Sequence, residues 1–150
     1  CNEILDSAIK NELIFVEQDE TMATYSCHRG PEDGEINWNN TSKQIFNFIR
    51  AQSKPYAGAF TYFNKHCVHI HRSSICKDLN KYIGRIPGKI VERNKKTGTV
   101  KILTRDSGIE VHEIIVDNSD EISPYDIFNT IRKKCKTKVE AYLENITHQV

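Results

Sequence analysis

The sequence lacks any run of about eighteen apolar residues, and lacks a cationic leader followed by an apolar core. Neither a membrane span nor a secretory signal is therefore expected, and a cytoplasmic protein with no membrane partner is the default. It also lacks a Cys-x-x-Cys pair. Its five cysteines, Cys1, Cys27, Cys67, Cys76 and Cys135, are odd in number and widely spaced, so reduced, partly buried thiols are expected rather than structural zinc or a disulfide framework. Charge of one sign is missing as well: a net charge of +1 over 150 residues gives no overall footprint for a polyanion. Gly84, Gly88 and Gly98 do not have the spacing of a nucleotide-binding loop, and no serine stands in a nucleophile elbow. The chain opens on Cys1 rather than methionine, and the helical spacing of Ile4, Leu5, Ala8 and Ile9 leads us to expect a packing partner in upstream sequence.

Punctuating residues are few, and they gather in one stretch. Arg29-Gly-Pro-Glu-Asp-Gly-Glu-Ile-Asn-Trp38 and the chain onward to Thr61 hold the only tryptophan, two of the four prolines and three of the seven glycines. Gly30 to Gly34 reads as a turn with Pro31 presetting φ. Ile36 and Trp38 alternate with Glu35 and Asn37, an extended arrival with one face inward. Thr41 and Gln44 form a reciprocal capping pair, and Ile45, Phe46, Phe48 and Ile49 make a stripe that must be buried, so a helix is predicted over 41–52. Arg50 near its end reads either as a surface or capping cation or as a charged tether to Asp33. Pro55 stops the helix, and Gly58 permits close backbone approach.

Downstream, strands are predicted at 60–63 and, after an Asn64-Lys65 turn, at Val68 and Ile70. His66, His69 and His71 offer a metal reading or a polar strand face, and with no third ligand evident no metal is expected. Residues 72–85 read as a linker with a short helical turn near 78–83. Strands at 89–93, 99–104 and 109–116, with turns at Thr97-Gly98 and Ser107-Gly108, have the makings of a small barrel. Ser123 and Pro124 start a helix whose apolar face, Ile127, Phe128, Ile131, Cys135, Val139 and Ile146, runs on to about 146. Within it Arg132, Lys133, Lys134, Lys136 and Lys138 are the densest basic run, a solvated face or a nucleic-acid contact. His28 beside Arg29 and Asp33 reads as a loop histidine or as a local acid/base or anion cluster.

The central stretch, with Ile45, Ile49, Arg50, Ala51 and Pro55-Tyr-Ala-Gly-Ala-Phe-Thr61, resembles the closing part of the formyltetrahydrofolate-dependent formyltransferase domain, the family of methionyl-tRNA formyltransferases and amino-sugar formyltransferases. Ala23-Thr-Tyr25, Ile86-Pro-Gly-Lys-Ile-Val91 and Thr104-Arg-Asp-Ser-Gly108 fit the same family. Ala57 stands where the family's Pro-x-Pro-Gly-Ala form has its second proline. The resemblance implies an α/β chain in which residues 1–84 end a Rossmann-like catalytic domain and residues 85–150 form a small open, OB-like β-barrel with a terminal helix. It implies transfer of a formyl group from 10-formyltetrahydrofolate to a small-molecule amine, with an asparagine, a histidine and an aspartate that have no matching segment here. No catalytic residue and no bound cofactor are thus expected in this chain. By the same carry-over Asp33, Trp38, Ile49, Arg50, Pro55 and Gly58 serve packing, and His28 and Arg29 approach the acceptor. Phe48-Ile-Arg-Ala-Gln-Ser-Lys-Pro-Tyr56 reads closer to the amino-sugar branch. A tRNA acceptor, and a non-catalytic binding or homodimerisation module, stand as alternatives.

Overall fold

A computed structural model describes residues 2–117 and 121–147; Cys1 lies outside the described residues. Among the described residues six strands form one sheet. β1 (Ala59–Phe63) and β2 (His66–Ile75) make a hairpin, β3 (Ile90–Asn94), β4 (Thr99–Leu103) and β5 (Gly108–Val116) make a meander, and β6 (Glu121–Ile122) pairs with β5. The order is β1-β2-β5-β4-β3, with antiparallel ladders throughout. Asn64 turns the hairpin at φ 55°, a conformation its short polar side chain tolerates. Residue 84 falls in the connection between β2 and β3, and strands from both sides of it share this sheet.

The barrel expected from the sequence is not formed. β1 and β3 are the two ends of the sheet and no ladder joins them. Closure would need the end strands to pair along their length. Instead the segment 134–136 crosses between them and makes single bridges, Tyr62 with Lys136 and Lys89 with Lys134. A Rossmann-like tail is not seen either: residues 2–29 hold α1 (Asn2–Ile9) and one short 3-10 turn. The apolar residues of this part find no cover, with Ile4, Leu5 and Ile9 exposed and Ile14, Phe15 and Val16 nearly fully so.

The central helix obeys its sequence. α2 (Ser42–Gln52) starts at Thr41, whose hydroxyl accepts from the Gln44 N–H at 3.2 Å while Gln44 Oε1 accepts from the Thr41 N–H at 3.0 Å. Ile45 and Ile49 are buried against the sheet, joining Ile36, Val68, Ile70, Ile109, Val111 and Ile114 in one core. Each such side chain contributes roughly 1.5–3 kcal/mol on full burial. The predicted unbroken helix 124–146 is instead two. α3 (Pro124–Ile127) ends at once so that Phe128 can enter the core, where its ring meets Phe63 edge-on at 5.2 Å. The extended crossing segment follows, and α4 (Lys138–Thr147) begins only after Thr137. The helical turn predicted near 78–83 is absent.

A cap that the sequence did not announce holds α2 to the sheet. Asp106, in the β4–β5 turn, accepts from the Ser42 N–H at 2.7 Å, from the Thr104 hydroxyl at 3.0 Å and from the Ser107 N–H at 2.9 Å through one oxygen. Slight burial pushes its carboxyl up, but the hydrogen bonds from Ser42, Thr104 and Ser107 outweigh this and hold it below the ordinary value of 3.8. Asp106→Ala is expected to lower stability by about 1 kcal/mol, the usual worth of a cap. Because the folded value is depressed, the contribution is full above the unfolded value and fades as pH falls through the folded one. Urea midpoints of wild type and variant at neutral pH should therefore differ, and should converge in strong acid.

Candidate functional site

The stretch 28–38 brings few of its candidate residues together. His28 and Arg29 are exposed, and the Arg29 guanidinium lies over the Phe48 ring, 5.7 Å from its centre. Asp33 accepts from the Gly30 N–H at 2.9 Å through one oxygen and closes its own turn. Arg50 lies over Phe46 at 5.7 Å, so each member of the suggested Arg50–Asp33 tether is engaged locally. Trp38 and Ile49 are buried, Pro55 is exposed in the turn after α2, and Gly58 is buried at φ 91°, where an added Cβ would stand 2.8 Å from the His71 ring.

The basic run does converge, though not on a helix. Arg132, Lys133, Lys134 and Lys136 lie on the crossing segment and, with Lys89 and Ile86, line a cleft of about 390 Å³. Lys138 lies outside it, its N–H donating to Glu35 at 2.6 Å. Much of the charge is already met. Lys134 pairs with Glu140 at 2.6 Å, Lys136 pairs with Glu144, and Lys133 donates to the Asn64 side chain at 2.8 Å. The Lys134 ammonium, together with the Thr137 N–H, holds the Glu140 carboxyl below the usual carboxylate range. Lys89, whose ammonium donates to the Arg132 carbonyl, was missed by sequence reading because it lies far upstream of the run it joins.

No described cluster has the form of a catalytic triad or metal site. Among the described residues no three His, Cys, Asp or Glu side chains are grouped to hold a metal. His66 pairs with Asp117 at 2.7 Å. The Ser74 hydroxyl and His112 Nε2 stand 2.8 Å apart, a hydrogen-bonded pair rather than a triad, and His69 Nε2 stands 3.6 Å from Cys67 Sγ. Burial pushes that thiol up, and Asp117 and Glu35 add to the effect against a hydrogen bond from Tyr62, so the pair does not supply a thiolate near neutrality. Cys76 is pushed up to about 11 by burial, and Cys27, Cys67, Cys76 and Cys135 are all free thiols. A cleft of about 410 Å³ opens between the C-terminal half of α2 and the β2–β5 pair.

The family described as formyl transferase, C-terminal domain, matches residues 30–132. The chain belongs to this family. The match starts in the turn before Trp38 and ends inside the crossing segment, so this formyl transferase C-terminal domain includes α2, all six strands and α3. Its fold is similar to that of HypX from Aquifex aeolicus. A multiply substituted HypX variant aligns with a TM-score of 0.58 at 16% identity, over 91% of this chain and 23% of that one. HypX solved in complex with tetrahydrofolic acid aligns with a TM-score of 0.57 at 14% identity, over 89% of this chain and 23% of that one. At these identities the likeness speaks for the fold. The formyl transferase C-terminal domain described here spans about a quarter of the length of those solved chains, and no described helix is long and apolar enough to cross a membrane.

Proposed function

We propose that the chain is the C-terminal part of a cytoplasmic enzyme that transfers a formyl group from 10-formyltetrahydrofolate to the amine of an amino-sugar nucleotide. The family match over residues 30–132 supports the formyl-transfer part of this reading. In such an enzyme the amine attacks the formyl carbon, a base takes the amine proton, and donors meet the tetrahedral oxyanion. The reading places these groups and the folate in a catalytic region outside this chain. The proposed part of His28 and Arg29 is at the acceptor side, on an exposed approach to α2. The phrase Phe48-Ile-Arg-Ala-Gln-Ser-Lys-Pro-Tyr56 and the net charge of +1 favour a sugar nucleotide over a large polyanion.

A methionyl-tRNA acceptor is the second reading, and the five cations around the cleft at Lys89 and Arg132 favour it. The experiment is formyl transfer by the full-length protein from 10-formyltetrahydrofolate to a nucleoside-diphosphate amino sugar and, separately, to methionyl-tRNA, with the 150-residue chain assayed alone. Turnover is expected with the sugar for the full-length protein and none for the chain alone. Turnover with methionyl-tRNA only would replace the sugar reading by the second one. Turnover by the isolated chain would overturn the assignment of the chemistry to a region outside it.

A further inference from the structure

The cleft above the β2–β5 pair is independent of the formyl-transfer reading and has its own chemistry. Its floor is apolar, made by Phe46 and Ile49 of α2. Its rim is cationic: Arg50, Lys54 and Arg72 face it against a single acid, Glu113, which pairs with Arg72. At about 410 Å³ it has the size of a small-molecule site.

A break in strand alternation builds the wall. Ile70 faces Ile114, Arg72 faces Glu113 and Ser73 faces Val111, with register shifts on both sides of Arg72. In a regular strand consecutive side chains point to opposite faces. Here the bulge turns His71, Arg72 and Ser73 to one cleft, the re-aiming for which bulges are used beside functional sites. The Ser73 hydroxyl is buried there with no hydrogen-bond partner, and leaving such a group unmatched costs roughly 1–3 kcal/mol. The negative end of α2 opens on the same space. Its carbonyls are partly covered already, Arg50 O by the Ser53 hydroxyl at 2.8 Å and Gln52 O by the Gly58 N–H at 2.9 Å, which lessens their repulsion of an anion.

From this juxtaposition we propose that the cleft between α2 and the β2–β5 bulge binds a small organic oxyanion, a phosphate or carboxylate carried on an apolar body. The head group sits among Arg50, Arg72 and the Ser73 hydroxyl, and the body covers Phe46. Arg50 and Arg72 against the one carboxylate of Glu113 disfavour a cationic ligand, and the apolar floor distinguishes the site from a patch that attracts any anion.

The test titrates the intact chain with phenyl phosphate, benzoate and inorganic phosphate at low salt, following amide NMR shifts. Saturable shifts at Arg72 and Ser73 are expected with phenyl phosphate or benzoate, and the tighter of the two identifies the head group. Inorganic phosphate should bind about tenfold more weakly, since it leaves the apolar floor wet. Arg72→Gln and Ser73→Ala should each weaken binding about tenfold through loss of a charge-assisted or buried hydrogen bond, while Arg132→Gln, in the other cleft, should change nothing. No saturable shift, equal affinity for inorganic and phenyl phosphate, or unchanged binding in both cleft variants would overturn the proposal.

Discussion

Trp38→Ala is expected to destabilise the fold by about 3–5 kcal/mol, the range for removing a large buried aromatic. Trp38 is 5% exposed, and its indole N–H donates to the Thr61 hydroxyl at 3.0 Å. That hydroxyl in turn donates to the Lys136 carbonyl at 3.0 Å. The indole thus links the arrival to α2, strand β1 and the crossing segment, and its loss leaves both a cavity and a broken relay. For a domain whose whole stability is of order 5–15 kcal/mol, the change is large. Since Trp38 is the only tryptophan, unfolding in urea must be followed by far-ultraviolet circular dichroism. Trp38→Phe keeps one aromatic ring but loses the N–H and part of the volume, so a smaller loss of about 1–3 kcal/mol is expected. Equal midpoints for the two variants would show that the ring volume contributes nothing.

Gly88→Ala is expected to cost about 3 kcal/mol or more, combining left-handed strain with an overpacked contact. Gly88 sits at φ 83°, and a Cβ there would stand 2.9 Å from the Cys135 carbonyl oxygen and 3.3 Å from the Trp38 ring. Backbone cannot yield as a flexible side chain can. Gly88 donates to the Leu103 carbonyl at 2.8 Å, and its own carbonyl accepts from the Cys135 N–H at 2.9 Å, so it is held from both sides. Gly84 provides the comparison: φ is 66° with nothing within 4 Å of the added carbon, and Gly84→Ala should cost only the strain, about 1–2 kcal/mol. Equal thermal midpoints for the two alanine variants would mean that crowding at Cys135 plays no part.

What the sequence disclosed was local. Thr41 and Gln44 announced α2 because both capping partners lie within one turn, and the alternation of Ile36 and Trp38 announced their shared inward face. The strands of the meander and the hairpin turn were legible for the same reason. The start of α4 carries a local signal as well. Thr137 and Glu140 cap each other, Thr137 N–H to Glu140 at 3.0 Å and Glu140 N–H to the Thr137 hydroxyl at 3.2 Å, and this pair interrupts the supposed long helix. Sheet closure was not legible, because whether β1 meets β3 depends on register between strands far apart in the chain. The basic cleft was half legible: the run 132–136 stands out in sequence, whereas Lys89 joins it only through the fold. The anion cleft was not legible at all, since Arg50, Arg72 and Glu113 come from three separate elements and the bulge that presents them leaves no mark in composition.

The open sheet raises the matter of self-association. Exposed strand edges are templates for pairing with other chains, and an unclosed sheet has two. Along β1 the outer backbone groups are already engaged: the Phe60 carbonyl accepts from the Ile36 N–H at 2.8 Å, and Tyr62 exchanges both of its bonds with Lys136 at 3.0 and 2.8 Å. Just before β3, beside the Lys89–Lys134 bridge, the Gly88 carbonyl accepts from the Cys135 N–H at 2.9 Å. A short lysine-rich ribbon therefore blunts the β1 margin that a closed barrel would have abolished, and it does so through its backbone rather than its charge, since Lys134 and Lys136 are already paired with Glu140 and Glu144.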